Sequence, residues 1–250
     1  YIYDTIKIVN VNLINECVVL YCSCSINYDG HMNWEGIMSI INKGTSFKKR
    51  NLSLKNYSLE AYVDKVYLDG RLKDASTVSE QDKSFGVFMH SLILSNTTDL
   101  EKYEIGTAKR KEGRLKKAVA TYADTMGFDS KLIETIAPKL PGLDINHDNK
   151  FSSSVHLING ELRVVIRGAA EYIFRSCTHI LMESRLVRVT RKVLQEVYDV
   201  FKYMSAKGLD VYAIALRDLS ILPENYNENI MSNNLALVSL IGVNKRLRPN

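Results

Sequence analysis

No apolar run in this chain approaches the ~18 residues needed to span a bilayer, so a membrane-spanning helix is not expected. The opening YIYDTIKIVN has none of the sections of a secretory leader. A soluble fragment is the expectation. Cysteine is scarce: Cys17, Cys22, Cys24 and Cys177 are all there is, and the nearest histidine to the Cys-x-Cys, His31, has no second ligand beside it. Zinc sites take two paired ligand clusters, so no metal is expected, and reduced thiols in a cytosolic setting follow. Internal repeats and low-complexity tracts are missing. The aromatics are not interleaved with the basic runs, and no RNA or DNA motif occurs, which argues against nucleic acid as a partner.

What is present is globular. Of the 250 residues, 46% are hydrophobic and 24% charged, with a net charge of +5. That length allows one large domain or two ordinary ones, and the charge favours anionic ligands or an acidic surface. The first third is β-rich, with extended runs over Ile6 to Leu13 and Cys17 to Cys24. A short helix is expected over Trp34 to Ile41, then a basic loop at 43–60 centred on Lys48-Lys49-Arg50, and a strand over Val63 to Leu68 turning at Asp69-Gly70. Helical spacing predicts a helix ending near Asn96 and another from about Arg114 to Met126, stopped by Gly127. Strands Ser152 to Ile158 and Leu162 to Arg167 meet across Asn159-Gly160, a two-residue hairpin signal. The longest helix is expected over Thr190 to Ala206 with Gly208 as its stop, followed by strands Val211 to Leu216 and Leu235 to Val243. Mixed hairpins and helices without βαβ alternation imply an α+β fold, a twisted and largely antiparallel sheet flanked by helices.

The segment LRVVIRGAAEYIFRSCT (residues 162–178) bears the first chemical signal. A strand ends on a cation, Arg167, and breaks at Gly168 into a helix start. Glycine admits a ligand to the backbone, and the first helical N–H groups lack partners, so the corner suits an anion.

Read in order, several segments resemble one family, the cytosolic nucleotide-binding domain of P-type cation ATPases, nearest the calcium pumps. VVIRGAAEYIFRSCT is similar to its strand followed by Lys-Gly-Ala-Pro-Glu. DINHDNKFSSSV resembles Phe-Ser-x-x-x-Lys-x-Met-Ser, and MSAKGLDVYAIALRDL resembles Ala-x-Gly-Leu-Arg-x-x-x-x-Ala-x-Arg-Asp. LALVSLIGVNKRLRPN is similar to Gly-x-x-Gly-Ile-x-Asp-Pro-x-Arg-Pro, where the chain re-enters the phosphorylation domain. KKAVATYADTMGFD matches the helix after Pro-Thr-Glu-Lys-Ala, and FMHSLILSNTT a helix ending in asparagine. The match covers roughly residues 85 to 249. It implies a nucleotide-binding domain over 1–234, its first 80 residues matched only in being β-rich, and a strand over 235–250 returning to the phosphorylation domain.

The resemblance further implies ATP as ligand, with Mg²⁺ supplied in the parent protein, and the parent's phosphorylation and transmembrane domains as partners, at the cytoplasmic face of a membrane. The family's phosphoryl acceptor, the Asp of Asp-Lys-Thr-Gly-Thr, is absent: neither Asp64-Lys65 nor Asp82-Lys83 continues into it. No catalytic residue is therefore expected here, and the chain alone should not turn over. Carried over by position, Lys150 is the lysine that reaches toward the nucleotide, and Gly168-Ala169 is the glycine-alanine pair beside the adenosine. Arg167 stands for the lysine of the pocket floor, Ala170 for the proline, and Ile145 for the phenylalanine that stacks on adenine. Aligned through Gly127-Phe128-Asp129, Lys116 replaces the glutamate of Pro-Thr-Glu, while Asp210 replaces the arginine of Gly-Leu-Arg. Both signs are reversed, and an inverted Lys116–Asp210 ion pair is the expectation. Six of the nine residues from 109 to 117 are Lys or Arg, so these basic stretches also serve as candidate contacts for acidic lipid or a regulator. A second interpretation keeps the fold but not tight ATP binding, leaving a degenerate lobe with a regulatory or structural role.

Overall fold

A computed structural model describes residues 7–14, 17–23, 57–97, 107–147, 150–222 and 233–249. The expected helix at 34–41 and the basic loop's Lys48-Lys49-Arg50 lie outside the described residues. The chain divides into two compact units, residues 1–53 and 54–250. In the first, β1 (Lys7–Ile14) and β2 (Cys17–Ser23) pair antiparallel.

The second unit is built on a nine-stranded sheet. Its elements are β3 (Tyr57–Leu68), β4 (Arg71–Asp74), α1 (Phe85–Leu94), α2 (Thr107–Thr125), α3 (Ser130–Ile136), β5 (Ile145–His147), β6 (Phe151–Ile158), β7 (Glu161–Ala169), α4 (Ala170–Phe174), β8 (Cys177–Met182), β9 (Arg185–Arg188), α5 (Arg191–Ala206), β10 (Asp210–Leu219) and β11 (Leu235–Pro249). The strand order is β4-β3-β11-β10-β7-β6-β5, with β8 joining β11 and β9 joining β8. Every pairing is antiparallel except β11 with β8. The α+β expectation holds.

Two-residue alternation along the strands sends side chains to opposite faces, and each face has its own core. Val165, Ile214, Leu216, Ile241 and Val243 pack beneath α1, α2 and α3 with Phe88, Leu92, Leu115 and Val119. Val164, Ile166, Ala213, Ala215 and Leu240 pack with Ile173, Phe174, Val197 and Met204 of α4 and α5. Val193, Val200 and Phe201 of α5 also pack on that second core.

Turn chemistry explains where elements stop. Asn159 and Gly160 take φ of 51° and 85°, as a two-residue hairpin requires, and Asp69-Gly70 repeats the device at 51° and 75°. Gly127 and Gly208 close α2 and α5 at φ of 80°. The Thr190 side chain accepts from Val193 N at 3.3 Å, capping α5. Some boundaries differ from the sequence reading. Helix α2 starts at Thr107 and, at 19 residues, exceeds α5 at 16. Short α3, capped by Asp129, and the β8–β9 hairpin were not foreseen.

One buried polar group makes stability depend on pH. His156 is wholly buried on β6; its Nδ1 lies 3.0 Å from the Ala137 carbonyl and its Nε2 2.9 Å from Ser154 Oγ. A carbonyl can only accept, so Nδ1 donates and Nε2 accepts from the serine hydroxyl in the neutral ring. Burial holds this imidazole's pKa below its ordinary value. The unfolded chain then binds a proton first as pH falls below about 6.5, so this contribution is complete above that pH and shrinks beneath it. Urea unfolding at pH 7.5 and 5.5 should show a smaller pH loss in His156→Gln than in the parent.

Candidate functional site

The predicted site residues gather around the junction of β6, β7 and β10, but the sheet divides them. Ile214 pairs with Arg167 and Tyr212 with Ala169 across β10 and β7, so Arg167, Tyr212 and Asp210 share the face under α1 and α2. Gly168 belongs to the opposite face, with Phe151 as its partner on β6.

Arg167 is 2% exposed. Its guanidinium donates to the Glu112 carboxylate of α2 and, at 3.0 Å, to Asn96 Oδ1 just past α1. The Asn96 amide donates in turn to the Lys116 carbonyl at 3.0 Å, so one side chain links both helices to the cation. Burying a charge is costly unless it is paired and hydrogen-bonded, and here it is both. Glu112 supplies a carboxylate one helical turn before Lys116, and Lys116 enters the network through its backbone carbonyl.

The inverted ion pair also has another partner. The Asp210 carboxylate lies 2.7 Å from Lys245 Nζ of β11 and 3.6 Å from Lys111 Nζ of α2. Asp210 starts β10, opposite Val243, and Lys245 lies two residues further along the neighbouring strand on the same face. With Arg248-Pro249 set on the closing Arg-Pro of the resembled motif, Lys245 falls on that motif's aspartate. The Tyr212 ring completes this side, with Lys111 Nζ 5.8 Å from its centroid. Burial raises its hydroxyl pKa, and the Asp210 and Glu112 carboxylates add to the shift.

The corner at Gly168 differs from the expected anion cradle. Strand β7 continues through Ala169, and α4 begins only at Ala170 and runs five residues. Ala169 N donates to the Lys150 carbonyl at 2.7 Å, so that amide is engaged. What approaches Gly168 is the chain itself: a Cβ there would lie 2.3 Å from Lys150 O and 2.6 Å from Phe151 Cα. Glycine is demanded by the neighbouring strand. Lys150 is exposed, its Nζ 5.9 Å from the centre of the Tyr172 ring, which stacks on Phe151 at 5.4 Å. Ile145, on the edge strand β5, packs against the core of that same face. Lys150, Gly168 and Ile145 therefore form one group, and Arg167, Asp210 and the Lys116 carbonyl another.

Five residues on this face escaped the sequence reading: Glu112, Asn96, Lys245, Lys111 and Tyr212. Glu112 had a signal, as the single acid in the basic run from 109 to 117. Asn96 was noted only as a helix end. Lys245 had none beyond its departure from the motif.

Comparison with known proteins fits this architecture. The family "P-type ATPase, cytoplasmic domain N" matches residues 85–250, about two thirds of the chain. The chain belongs to that family. Among curated proteins it is similar to plasma membrane calcium-transporting ATPase 2 of Oreochromis mossambicus, 33% identical over 102 residues, or 39% of this chain and 9% of that protein. It is 22% identical over 126 residues to calcium-transporting ATPase 1 of Bacillus cereus, covering 50% of this chain and 14% of the relative. Plasma membrane calcium-transporting ATPase 3 of Rattus norvegicus is 28% identical over 102 residues, 39% of this chain and 8% of the other. The chain thus spans less than a sixth of the length of these relatives. Among the described residues no helix is long and apolar enough to cross a membrane.

Proposed function

We propose that this chain is the ATP-binding lobe of a P-type cation pump, a calcium pump by the names of its relatives. In this proposal it presents ATP to a phosphorylatable aspartate outside the chain, at the cytoplasmic face of a membrane. Nucleotide binding would belong to 1–234, and 235–250 would lead back to the phosphorylation domain. The observation that carries the proposal is the cationic wall on the α1–α2 face. Arg167 is fixed from behind by Glu112 and Asn96, and the half-exposed lysines Lys111 and Lys245 stand beside it on Asp210.

Such an arrangement suits a polyphosphate. Arg167, buried and already paired, positions the wall, while Lys111 and Lys245 have the reach to meet phosphate oxygens. Lys150 lies over Tyr172 in the other group and is not part of this wall. Asp210 opposes the ligand by like charge, so Asp210→Asn should raise ATP affinity several-fold, on the order of 1 kcal/mol. Isothermal titration checks this; unchanged or weaker binding removes Asp210 from the phosphate path. Among the described residues no three metal-ligating side chains come together, so no step is assigned here to Mg²⁺, which would arrive on the nucleotide.

The experiment that tests the proposal is an ATP titration of the 250-residue chain followed by backbone chemical shifts. Changes centred on Arg167, Tyr212 and Lys111 are expected. A second reading, a lobe that keeps the fold with a regulatory or structural role, is favoured by the Asp210 reversal and by isoleucine at 145. Silence at millimolar ATP would select it.

A further inference from the structure

The resemblance leaves the nucleobase without a platform, because position 145 carries isoleucine and lies on β5 against the opposite core. Two aromatic rings near the site carry a lysine above them, Tyr172 beneath Lys150 and Tyr212 beneath Lys111. They lie on different faces. Tyr172 stacks on Phe151 with rings 21° from parallel and 5.4 Å apart, so one side of it is already covered. Tyr212 is partly buried against the α1–α2 core, two residues along β10 from Ile214, the partner of Arg167. Diagonal neighbours at that spacing are within reach of long side chains.

Resting on the ATP-binding reading above, we propose that Tyr212 is the base-stacking residue of this lobe. A purine ring takes the face that Lys111 now covers, and Lys111 leaves that face for the phosphates. Three observations converge. The ring shares its face with Arg167, Glu112 and Asp210, so a base placed on it leaves the phosphates beside Lys111 and Lys245. Lys111 is half-exposed at 53% and joined to Asp210 only at 3.6 Å, so its ammonium can move off the ring. The ring is already packed against the core, so a stacked base loses little to ordering the tyrosine. An aromatic two residues beyond Asp210 thus substitutes, on another strand, for the one missing at 145.

The test compares ATP with inorganic tripolyphosphate, which has the charge without the base. In the 250-residue chain, Tyr212→Leu should weaken ATP about tenfold and leave tripolyphosphate unchanged, whereas Tyr212→Phe should keep both. In the unsubstituted chain the Tyr212 ring protons, assigned by their loss in Tyr212→Phe, should move upfield with ATP and stay put with tripolyphosphate. That measurement stands even where Tyr212→Leu fails to fold. If the parent chain binds ATP but its Tyr212 ring protons do not respond, or if Tyr172→Leu weakens ATP and Tyr212→Leu does not, the assignment is overturned. If the parent chain binds no ATP at all, the ATP-binding reading itself fails, and this one with it.

Discussion

Arg167→Ala should cost about 3–5 kcal/mol of folding stability, the usual penalty for leaving one member of a buried ion pair alone. The guanidinium is 2% exposed and bonded to Glu112 and Asn96, so its loss strands a nearly buried carboxylate and an amide oxygen together. At two to four degrees per kcal/mol for a domain of this size, the midpoint of thermal unfolding should drop by roughly 10 °C. The double variant Arg167→Met with Glu112→Leu separates this cause from lost packing. Replacing both charges with apolar groups of similar volume is often neutral, so the pair should recover most of the loss. Urea melts of the parent, single and double variants decide it. A single substitution costing under about 1 kcal/mol would mean that Glu112 is solvated and the knot is weak.

Gly168→Ala should be the second severe change, at about 3 kcal/mol or more. The added methyl would meet Lys150 O at 2.3 Å, Phe151 Cβ at 2.5 Å and Phe151 Cα at 2.6 Å. Two of these atoms are backbone, so the clash has no flexible tip to bend aside. Strands β6 and β7 must part at this point, and the 2.7 Å bond from Ala169 N to Lys150 O goes with them. Urea unfolding measures the cost, and faster hydrogen exchange at the Ala169 amide locates it. Alanine tolerated with unchanged exchange would show that the strands sit further apart than described.

Much of the fold could be read in the sequence where local chemistry dictates it. Asn159-Gly160 announces its hairpin because both residues accept positive φ, and Thr190 with Gly208 brackets α5 for equally local reasons. The β8–β9 hairpin gave no such notice. Its turn is made by Glu183 and Ser184 at φ of 48° and 62°, residue types that seldom take that conformation. Asp69 helps to hold them there, accepting from Glu183 N at 2.6 Å and Ser84 N at 3.0 Å across the chain. Helix α3 was hidden by its length, seven residues between Gly127 and Pro138. At the site, Arg167 was legible from its place on β7. Its partner Glu112 was not foreseen. Nothing local ties residue 112 to residue 167, and only the packing of α2 on the sheet brings them together. The pairing of Asp210 with Lys245 is likewise a matter of strand register between β10 and β11.

Strand β11 outruns its neighbour on one side. Its pairing with β10 ends where Asp210 meets Val243, yet its pairing with β3 continues from Asn244↔Tyr62 to Pro249↔Tyr57. Over this stretch, about 20 Å long at the usual rise per residue, β3 and β11 have only each other as strand partners among the described residues. Two-stranded ribbons twist more freely than broad sheets. Lys245 ties the root of this ribbon back to β10 through Asp210, so this end of the sheet is fastened across strands by a charge as well as by the β3–β11 ladder.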